Sequence, residues 1–322
     1  MPFDALLGHA RPVQTLRSML RSGNVPHAFI FSGMEGIGKC TAAVSFAKAL
    51  NCRELPDDFC DSCLSCQKIE RRMHPDVFHT APEKNVIKIE QVRALQQDIA
   101  FKPLEGDRKV VIIDRAEKLN PHAANCLLKT LEEPPSDTVL ILVAQATTGL
   151  LPTVLSRCQK IVFSPLSTDE VVQLLGDGGI EAGRAADLAR HARGSVQKAL
   201  FLEESDFLSR RSELADMLAG DNDTVVDAAL ELAQRLSRES ETIPLMLEFL
   251  LGWYRDLLVA KEGLADASLY NADIAEAVHA AARHESPASI KRKLRKIQWI
   301  QRNAVLNPDM QLGLESVLMG TA

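Results

Sequence analysis

Gly33-Met34-Glu35-Gly36-Ile37-Gly38-Lys39-Cys40 is the most informative segment of this 322-residue chain for predicting its fold. An apolar run, His27–Ser32, precedes it, and a helix-forming stretch, Thr41–Leu50, follows it. A strand, a glycine loop ending in lysine and a helix form, in this order, the Walker A motif, whose backbone amides wrap phosphates while the lysine reaches their charge. The predicted phosphate-binding residues are Gly33, Gly36, Gly38 and Lys39.

Two positions of this predicted nucleotide site are altered. The eighth residue of the motif should be Ser or Thr, whose hydroxyl holds magnesium, but it is Cys40, a soft thiol that suits this hard ion poorly. Thr41 lies about 100° further round the helix and cannot replace it. Asp114 follows an apolar run as a Walker B carboxylate does, but Arg115 then stands where a water-activating acid is wanted. We predict a degenerate site, including Cys40 and Asp114, that can hold ATP or ADP but supports hydrolysis poorly.

Short apolar runs alternate with amphipathic stretches up to about Phe163, which predicts an α/β domain with a parallel sheet. The predicted strands are His27–Ser32, Val77–Thr80, Lys109–Ile113, Val139–Val143 and Lys160–Phe163. From Ser164 no strand pattern remains, and Ser167 opens a helix with a capping box. Helical spacing then continues through Val225–Leu236, Leu245–Leu258 and Ile274–Ala282. We predict a core over residues 1–163, a small helical lid over 164–205 and an all-helical domain over 206–322.

The overall charge and hydropathy exclude several classes of protein. The chain has 37 Lys and Arg against 43 Asp and Glu, a formal net charge of −6, and 46% hydrophobic residues, which is a globular composition. The acidic balance opposes a protein that coats nucleic acid by itself. The chain opens without a basic segment followed by an apolar run, and it has no apolar stretch of the ~18 residues that a membrane span needs. We therefore expect a cytoplasmic protein with no membrane contact.

Four of the seven cysteines, which are clustered between positions 52 and 66, form a candidate metal site. Disulfides are disfavoured in a cytosolic protein, and four thiolates satisfy one closed tetrahedral zinc site. The alternatives are free buried thiols or a redox motif, but the cluster lacks the βαβ context of a thioredoxin. The predicted zinc ligands are Cys52, Cys60, Cys63 and Cys66.

Two groups of cations have both a plain and a functional interpretation. Arg157, in Leu155-Ser156-Arg157-Cys158, is placed at the rim of the predicted sheet, and spacing alone favours an ordinary surface arginine. The basic run Lys291–Lys296 is most simply the solvated face of a helix; a contact to DNA or to an acidic partner is the alternative. Trp299, among these charges, is expected to pack within the helical domain rather than stack on bases.

The order of several motifs resembles that of one family, the delta-prime subunits of bacterial DNA polymerase III, which are the stators of AAA+ clamp loaders. The resemblance covers most of the chain. It is carried by Leu7-Gly8-His9, Pro26–Gly33 and the glycine loop after it, Ala49-Leu50-Asn51-Cys52 and the cysteine module, His74-Pro75-Asp76, Asn125–Pro135, Leu155–Cys158, and Asn307–Leu312 with Glu315.

The resemblance implies an α/β AAA+ P-loop core with a zinc module at residues 52–66, a small helical lid and an all-α C-terminal collar that assembles subunits into a ring. It implies zinc at the four clustered cysteines and a role for Arg157 in trans, as an arginine finger on the ATP of a neighbouring subunit. The implied partners are the clamp-loader motor subunits gamma and tau, the clamp-opening delta subunit, the sliding clamp and, through the complex, primed DNA.

Relatives that hydrolyse ATP differ from this chain at three nucleotide-handling positions. They carry Thr where Cys40 stands, an acid where Arg115 stands, and an arginine in the lid where this chain has Gln197. The chain therefore resembles a member of the assembly that does not hydrolyse ATP and has no activity alone. A motor subunit of the same loader, or another AAA+ ATPase, is the alternative, and Lys39 and Asp114 favour it. A zinc-dependent nucleic-acid reader fits the acidic neighbours of the cysteines poorly.

Overall fold

Five parallel strands form the sheet that carries the glycine loop. They are β1 (Ala28–Ser32), β2 (Val77–Thr80), β3 (Lys109–Ile113), β4 (Thr138–Ala144) and β5 (Gln159–Val162), in the order β2-β3-β4-β1-β5. All residues of β1, β3 and β4 are buried, as expected for central parallel strands covered on both faces. The structure is a computed structural model, and it describes residues 2–220, 243–303 and 317.

The described residues divide into two compact units, 1–201 and 202–322. The helices of the first unit are α1 (Ala10–Ser22), α2 (Lys39–Leu50), α3 (Leu64–Glu70), α4 (Ile89–Ile99), α5 (Pro121–Glu132), α6 (Pro152–Leu155), α7 (Thr168–Asp177) and α8 (Ala182–Ala192). The division falls within α9 (Val196–Glu204). The described helices of the second unit are α10 (Phe207–Ala219), α11 (Ile243–Lys261), α12 (Ala275–His284) and α13 (Pro287–Asn303).

Apolar side chains cover both faces of the sheet. On one face, α2 places Phe46 against Phe29 with ring centroids 5.3 Å apart. Phe31 and Phe163 form a second pair at 5.2 Å, and all four rings are buried. Small residues along α2, such as Ala43 and Ala47, allow the helix to pack closely on the strands. The opposite face is covered by α4 and α5, whose apolar residues join the side chains of the strands in a second core. This doubly covered sheet fixes the position of the loop between β1 and α2.

The regular elements among the described residues of the second unit are all helices. The expectation that Trp299 packs within this unit is wrong, because the side chain on α13 is 59% exposed. Helix α11 buries Trp253 and Tyr254, which are each 1% exposed. The buried Arg211 of α10 donates to Asp273 at 2.7–2.9 Å and to Asn271 at 3.0–3.3 Å, so its charge is paired.

The predicted α/β class, with a helical C-terminal part, is confirmed. The five predicted strands match the observed strands to within one residue at each end, because their apolar runs are bounded by polar residues and turns. The helix predicted to open at Ser167 begins at Thr168, with Ser167 as its cap. Asn120 likewise caps α5, which has Pro121 in its first position. The helical pattern through 225–236 and the segment 307–315 lie outside the described residues. The division into core, lid and collar at the stated boundaries stays a prediction. In the described part of the chain, no helix has the length and apolarity to cross a membrane.

Candidate functional site

The glycine loop has the backbone shape that phosphate binding requires. Gly36 and Gly38 have φ of +75° and +96°, a region that side-chain-bearing residues rarely adopt. Lys39 begins α2, is only 6% exposed, and its Nζ donates to the Met34 carbonyl oxygen at 2.5 Å. Burial lowers the pKa of Lys39, while the nearby carboxylates of Glu117, Glu35 and Asp114 oppose that shift. The Lys39 ammonium group is therefore held against the backbone of its own glycine loop.

The glycine loop opens into a cavity of about 580 Å³, within the usual size range of small-molecule sites. Its apolar wall comes from the N-terminal segment and from the helices that follow the sheet, and its polar side is the glycine loop and the end of β3. The lining residues used below are Gly36, Gly38, Lys39, Cys40, Asp114, Arg115 and Gln197. The structure thus gathers the predicted nucleotide-site residues except Gly33 around one cavity, and their functional assignment stays a prediction.

The residues around Cys40 and Asp114, where an intact Walker site would hold magnesium, do not fit a magnesium site. The Cys40 Sγ lies 3.4 Å from Nε2 of His79 on β2. One carboxylate oxygen of Asp114 accepts the backbone N–H of Arg115 at 2.9 Å, and Arg115 turns the chain with φ of +47°. A thiol and an imidazole are poor ligands for a hard, oxygen-seeking ion, and an arginine adds repulsion.

Glu117, an acid two positions after Arg115, lies in a short 3₁₀ helix after β3. One of its carboxylate oxygens is buried without a hydrogen-bond partner among the described residues, and the other accepts the backbone N–H of Gln145 at 3.4 Å. The Gln145 side chain donates to Glu35 of the glycine loop. Glu117 is absent from the residues that line the cavity, so it does not replace the acid lost at Arg115.

Helix α9 reaches the glycine loop directly. Its N-cap, Ser195, accepts the backbone N–H of Lys198 at 3.1 Å, and the Gln197 backbone N–H donates to the Gly36 carbonyl oxygen at 3.3 Å. A Cβ on Gly36 would lie 2.2 Å from the Ser195 Oγ and 2.6 Å from the Gln197 Cβ. Gln197 lines the cavity, whereas Lys198, the next residue, is not one of the lining residues.

His9 also lines the cavity, although no role could be predicted for it from the sequence. The ring is 2% exposed, packs edge-on against Phe163 and has Nε2 2.6 Å from the Ile37 carbonyl oxygen. Because a carbonyl oxygen can only accept a hydrogen bond, the His9 Nε2 carries the proton and donates it to the backbone of the glycine loop. The signal was the motif Leu7-Gly8-His9, but its contact with a residue 28 positions away has no local pattern.

The four clustered cysteines form a group of metal-binding geometry. Their Sγ atoms all lie within 4.8 Å of one another, and four thiolates at 2.3 Å from one zinc ion lie about 3.8 Å apart. The Ser62 hydroxyl and the Cys63 backbone N–H lower the pKa of Cys60 to about 6, which favours the thiolate. Burial raises the pKa of Cys66, and metal binding would have to displace that proton. The cluster, Cys52, Cys60, Cys63 and Cys66, could therefore bind zinc.

Arg157 follows the short helix α6 and is separate from the cavity. Its Nη2 pairs with Oε1 of Glu132 at 2.8 Å, and its Nη1 donates to the Thr153 carbonyl oxygen at 3.0 Å and to the Ser156 Oγ at 3.4 Å. The side chain is 36% exposed. These contacts hold the guanidinium in place at the surface while part of its donor edge faces solvent.

Comparisons with known proteins agree along nearly the whole chain. The family models "DNA polymerase III, delta subunit" and "DNA polymerase III, delta subunit, C terminal" match residues 8–167 and 205–321. DNA polymerase III subunit delta′ of Bacillus subtilis is 27% identical over 96% of this chain and 94% of its own length. Subunit tau of the same organism is 29% identical over 80% of this chain and 50% of its own length. A solved gamma subunit-related protein of Thermotoga maritima aligns with 95% of this chain and 97% of its own, at 17% identity and a TM-score of 0.45. The chain belongs to the DNA polymerase III delta-prime family of clamp-loader subunits.

Proposed function

We propose that this chain is a clamp-loader subunit that does not hydrolyse ATP itself but presents Arg157 to the ATP of a neighbouring motor subunit. The proposed partners are gamma or tau subunits and a delta subunit in a hetero-oligomeric ring, with a sliding clamp and, through the complex, primed DNA. The observation that carries this proposal is the contrast between an ordered, half-exposed arginine and a degenerate nucleotide site in the same unit.

The cavity supports nucleotide binding better than hydrolysis. Lys39 and the glycines provide a phosphate cradle, but the position of the water-activating acid is held by the cation Arg115. Gln197 supplies no charge where hydrolysing relatives place a lid arginine. Since hydrolysis needs charge stabilisation and an oriented water, the loss of both makes the site a nucleotide holder at most.

The surroundings of Arg157 suit action in trans. A guanidinium is planar and always charged, and it can donate two parallel hydrogen bonds to phosphoryl oxygens. Glu132 on α5 and the Thr153 carbonyl on α6 restrain its orientation, so less side-chain freedom is lost when a nucleotide of another subunit approaches. When that happens, Glu132 must release or share the Arg157 guanidinium. The Glu132 side chain is 51% exposed, so water can solvate its carboxylate.

We also propose that zinc is a structural component of the first unit, held by the four clustered cysteines. Four protein ligands leave no open position for substrate, so the ion orders the segment around α3 instead of catalysing a reaction.

The alternative, a motor subunit, has the intact Lys39 and Asp114 in its favour. Co-purification of this chain with the motor and delta subunits, followed by ATPase assays of the isolated chain and of the complex, separates the two. We expect negligible turnover by the isolated chain and clamp-stimulated turnover only in complexes that contain it. Brisk turnover by the isolated chain would contradict the proposal.

A further inference from the structure

At the edge of the cavity, where an intact Walker A motif has its magnesium-binding hydroxyl, two side chains bind each other. Cys40 lies in the first turn of α2, where a hydroxyl would coordinate magnesium, and its Sγ is 3.4 Å from the His79 Nε2 on β2. Both residues are partly buried between the helix and the sheet. The thiol therefore has a partner within the protein and does not need a metal ion to satisfy it.

Both members of this pair are neutral at physiological pH. Burial raises the pKa of Cys40, and the nearby Asp114 carboxylate raises it further. Burial lowers the pKa of His79, and the Arg72 charge adds to that effect, although Asp114 opposes it. A neutral thiol beside a neutral imidazole can donate its S–H to the unprotonated ring nitrogen, and it offers no thiolate as a metal ligand.

Two cationic side chains line the cavity and could supply the positive charge that bound phosphates need. Lys39 lies at the mouth of the glycine loop, and Arg115 lines the same cavity next to Asp114. The carboxylate of Glu35, the acidic residue of the loop, accepts a hydrogen bond from Gln145. Two protein cations can neutralise phosphate oxygens in the place of one divalent ion.

We infer that this cavity binds an adenine nucleotide without magnesium, with Lys39 and Arg115 in place of the metal and the Cys40–His79 pair closing the metal position. The inference rests on the proposed function in one respect, that the cavity takes a nucleotide. It does not depend on the role of Arg157, which faces another part of the surface.

Calorimetric titration of the full chain with ADP tests this inference. The titrations are run in chelator-free buffer passed over a metal-scavenging resin, with and without millimolar magnesium, so that the cysteine cluster is not stripped. The two dissociation constants are expected to agree within about twofold, a difference of about 0.4 kcal/mol. Cys40→Thr restores a hydroxyl ligand, so magnesium should tighten ADP binding to that variant by about tenfold, or about 1.4 kcal/mol. Cys126→Thr on α5, outside the cavity, is the matched control and should behave like the parent chain.

The result with the parent chain decides the matter even if Cys40→Thr folds poorly. Magnesium that tightened ADP binding to the parent chain by tenfold would overturn the inference. So would a parent chain that bound no ADP in either buffer, and that result would leave the proposed role of Arg157 intact. A Cys40→Thr variant that folded normally but remained indifferent to magnesium would show that Cys40 does not set the metal preference.

Discussion

Among single residues, Asp76 shows that a motif recognised by resemblance can have a structural role of its own. Its carboxylate is fully buried and accepts the backbone N–H groups of Leu104, Glu105 and Gly106 at 2.7–2.8 Å. His74, two positions earlier, accepts the Asp76 backbone N–H with Nδ1 at 3.1 Å. The sequence His74-Pro75-Asp76 could be recognised, but its partners lie about 30 positions away and follow no repeating pattern. That is why sequence reasoning did not assign it a role.

Asp76→Asn should destabilise the first unit by about 3 kcal/mol, since hydrogen bonds to a charged acceptor contribute about 1.5–3 kcal/mol each and an amide replaces only some of them. Burial alone would raise the pKa of Asp76, but the N–H groups of Gly106, Leu104 and Glu105 outweigh burial and lower it. A lowered folded-state pKa means that the contribution is complete above the unfolded-state pKa of about 3.9 and is lost as the pH falls towards the folded-state value.

Urea unfolding of the parent chain and of Asp76→Asn between pH 7 and pH 3 measures both effects. The difference in unfolding free energy should be constant near neutral pH and should shrink below about pH 4. Asp107→Asn, at an exposed residue near the same loop, is the control and should change little. A difference that stayed constant across this range would contradict the charge-based explanation.

Among the elements, α9 and the glycine loop contact each other, although the sequence pattern predicted each of them without this contact. The strands and capped helices could be predicted because buried runs, capping boxes and prolines are local signals. The approach of Ser195 and Gln197 to Gly36 could not, because it depends on how α9 packs against a loop about 160 residues earlier. The Cys40–His79 pair could not be predicted for the same reason, because its two residues are 39 positions apart and meet only through the packing of α2 on the sheet.

Gly36→Ala tests that contact. The new Cβ would overlap Ser195 and Gln197, and the residue would keep a positive φ of 75°. Gly23→Ala is a matched control, because Gly23 has φ of 69° but no atom within 4 Å of its Cβ position. We expect the control to cost about 1–2 kcal/mol from backbone strain alone. Gly36→Ala should cost about 1–3 kcal/mol more from overpacking. Equal shifts in thermal unfolding of the two variants would contradict the close contact.

The cysteine module is a second element whose order we expect to depend on a ligand. Metal-replete protein should contain one zinc per chain by elemental analysis. Cys63→Ser removes one of four thiolates from a site whose zinc-binding free energy is typically about 10–16 kcal/mol, so it should lose zinc and melt several degrees lower. Cys126→Ser, where a hydroxyl can keep the hydrogen bond to Gln96, should retain zinc and melt like the parent chain. A zinc-free parent protein would contradict this prediction.

At the scale of the whole molecule, the sequence predicted fold class, family and the candidate residues, while the structure supplied their partners. The spacing around Arg157 favoured an ordinary surface arginine, and its ion pair with Glu132 is not visible in any local pattern. Under the proposed function, Arg157 is the residue through which this chain would act on the ATP of a neighbouring subunit. A guanidinium placed against a γ-phosphate is worth roughly 10³–10⁵ in rate in well-studied phosphoryl-transfer enzymes. The loss should be smaller here, because other ATP sites in a ring keep their own arginines.

The clamp-stimulated ATPase rate of reconstituted complexes tests the proposed role of Arg157. The complexes contain the parent chain, Arg157→Ala, Arg157→Lys or, as control, Arg11→Ala at an exposed arginine on α1. Gel filtration first establishes that each complex is intact, and thermal unfolding of each isolated chain establishes that it is folded. We predict a several-fold loss of turnover with Arg157→Ala, poor rescue by Arg157→Lys because an ammonium cannot form the planar fork, and no loss with Arg11→Ala. Intact complexes carrying Arg157→Ala that turned over ATP at the parent rate would contradict the account.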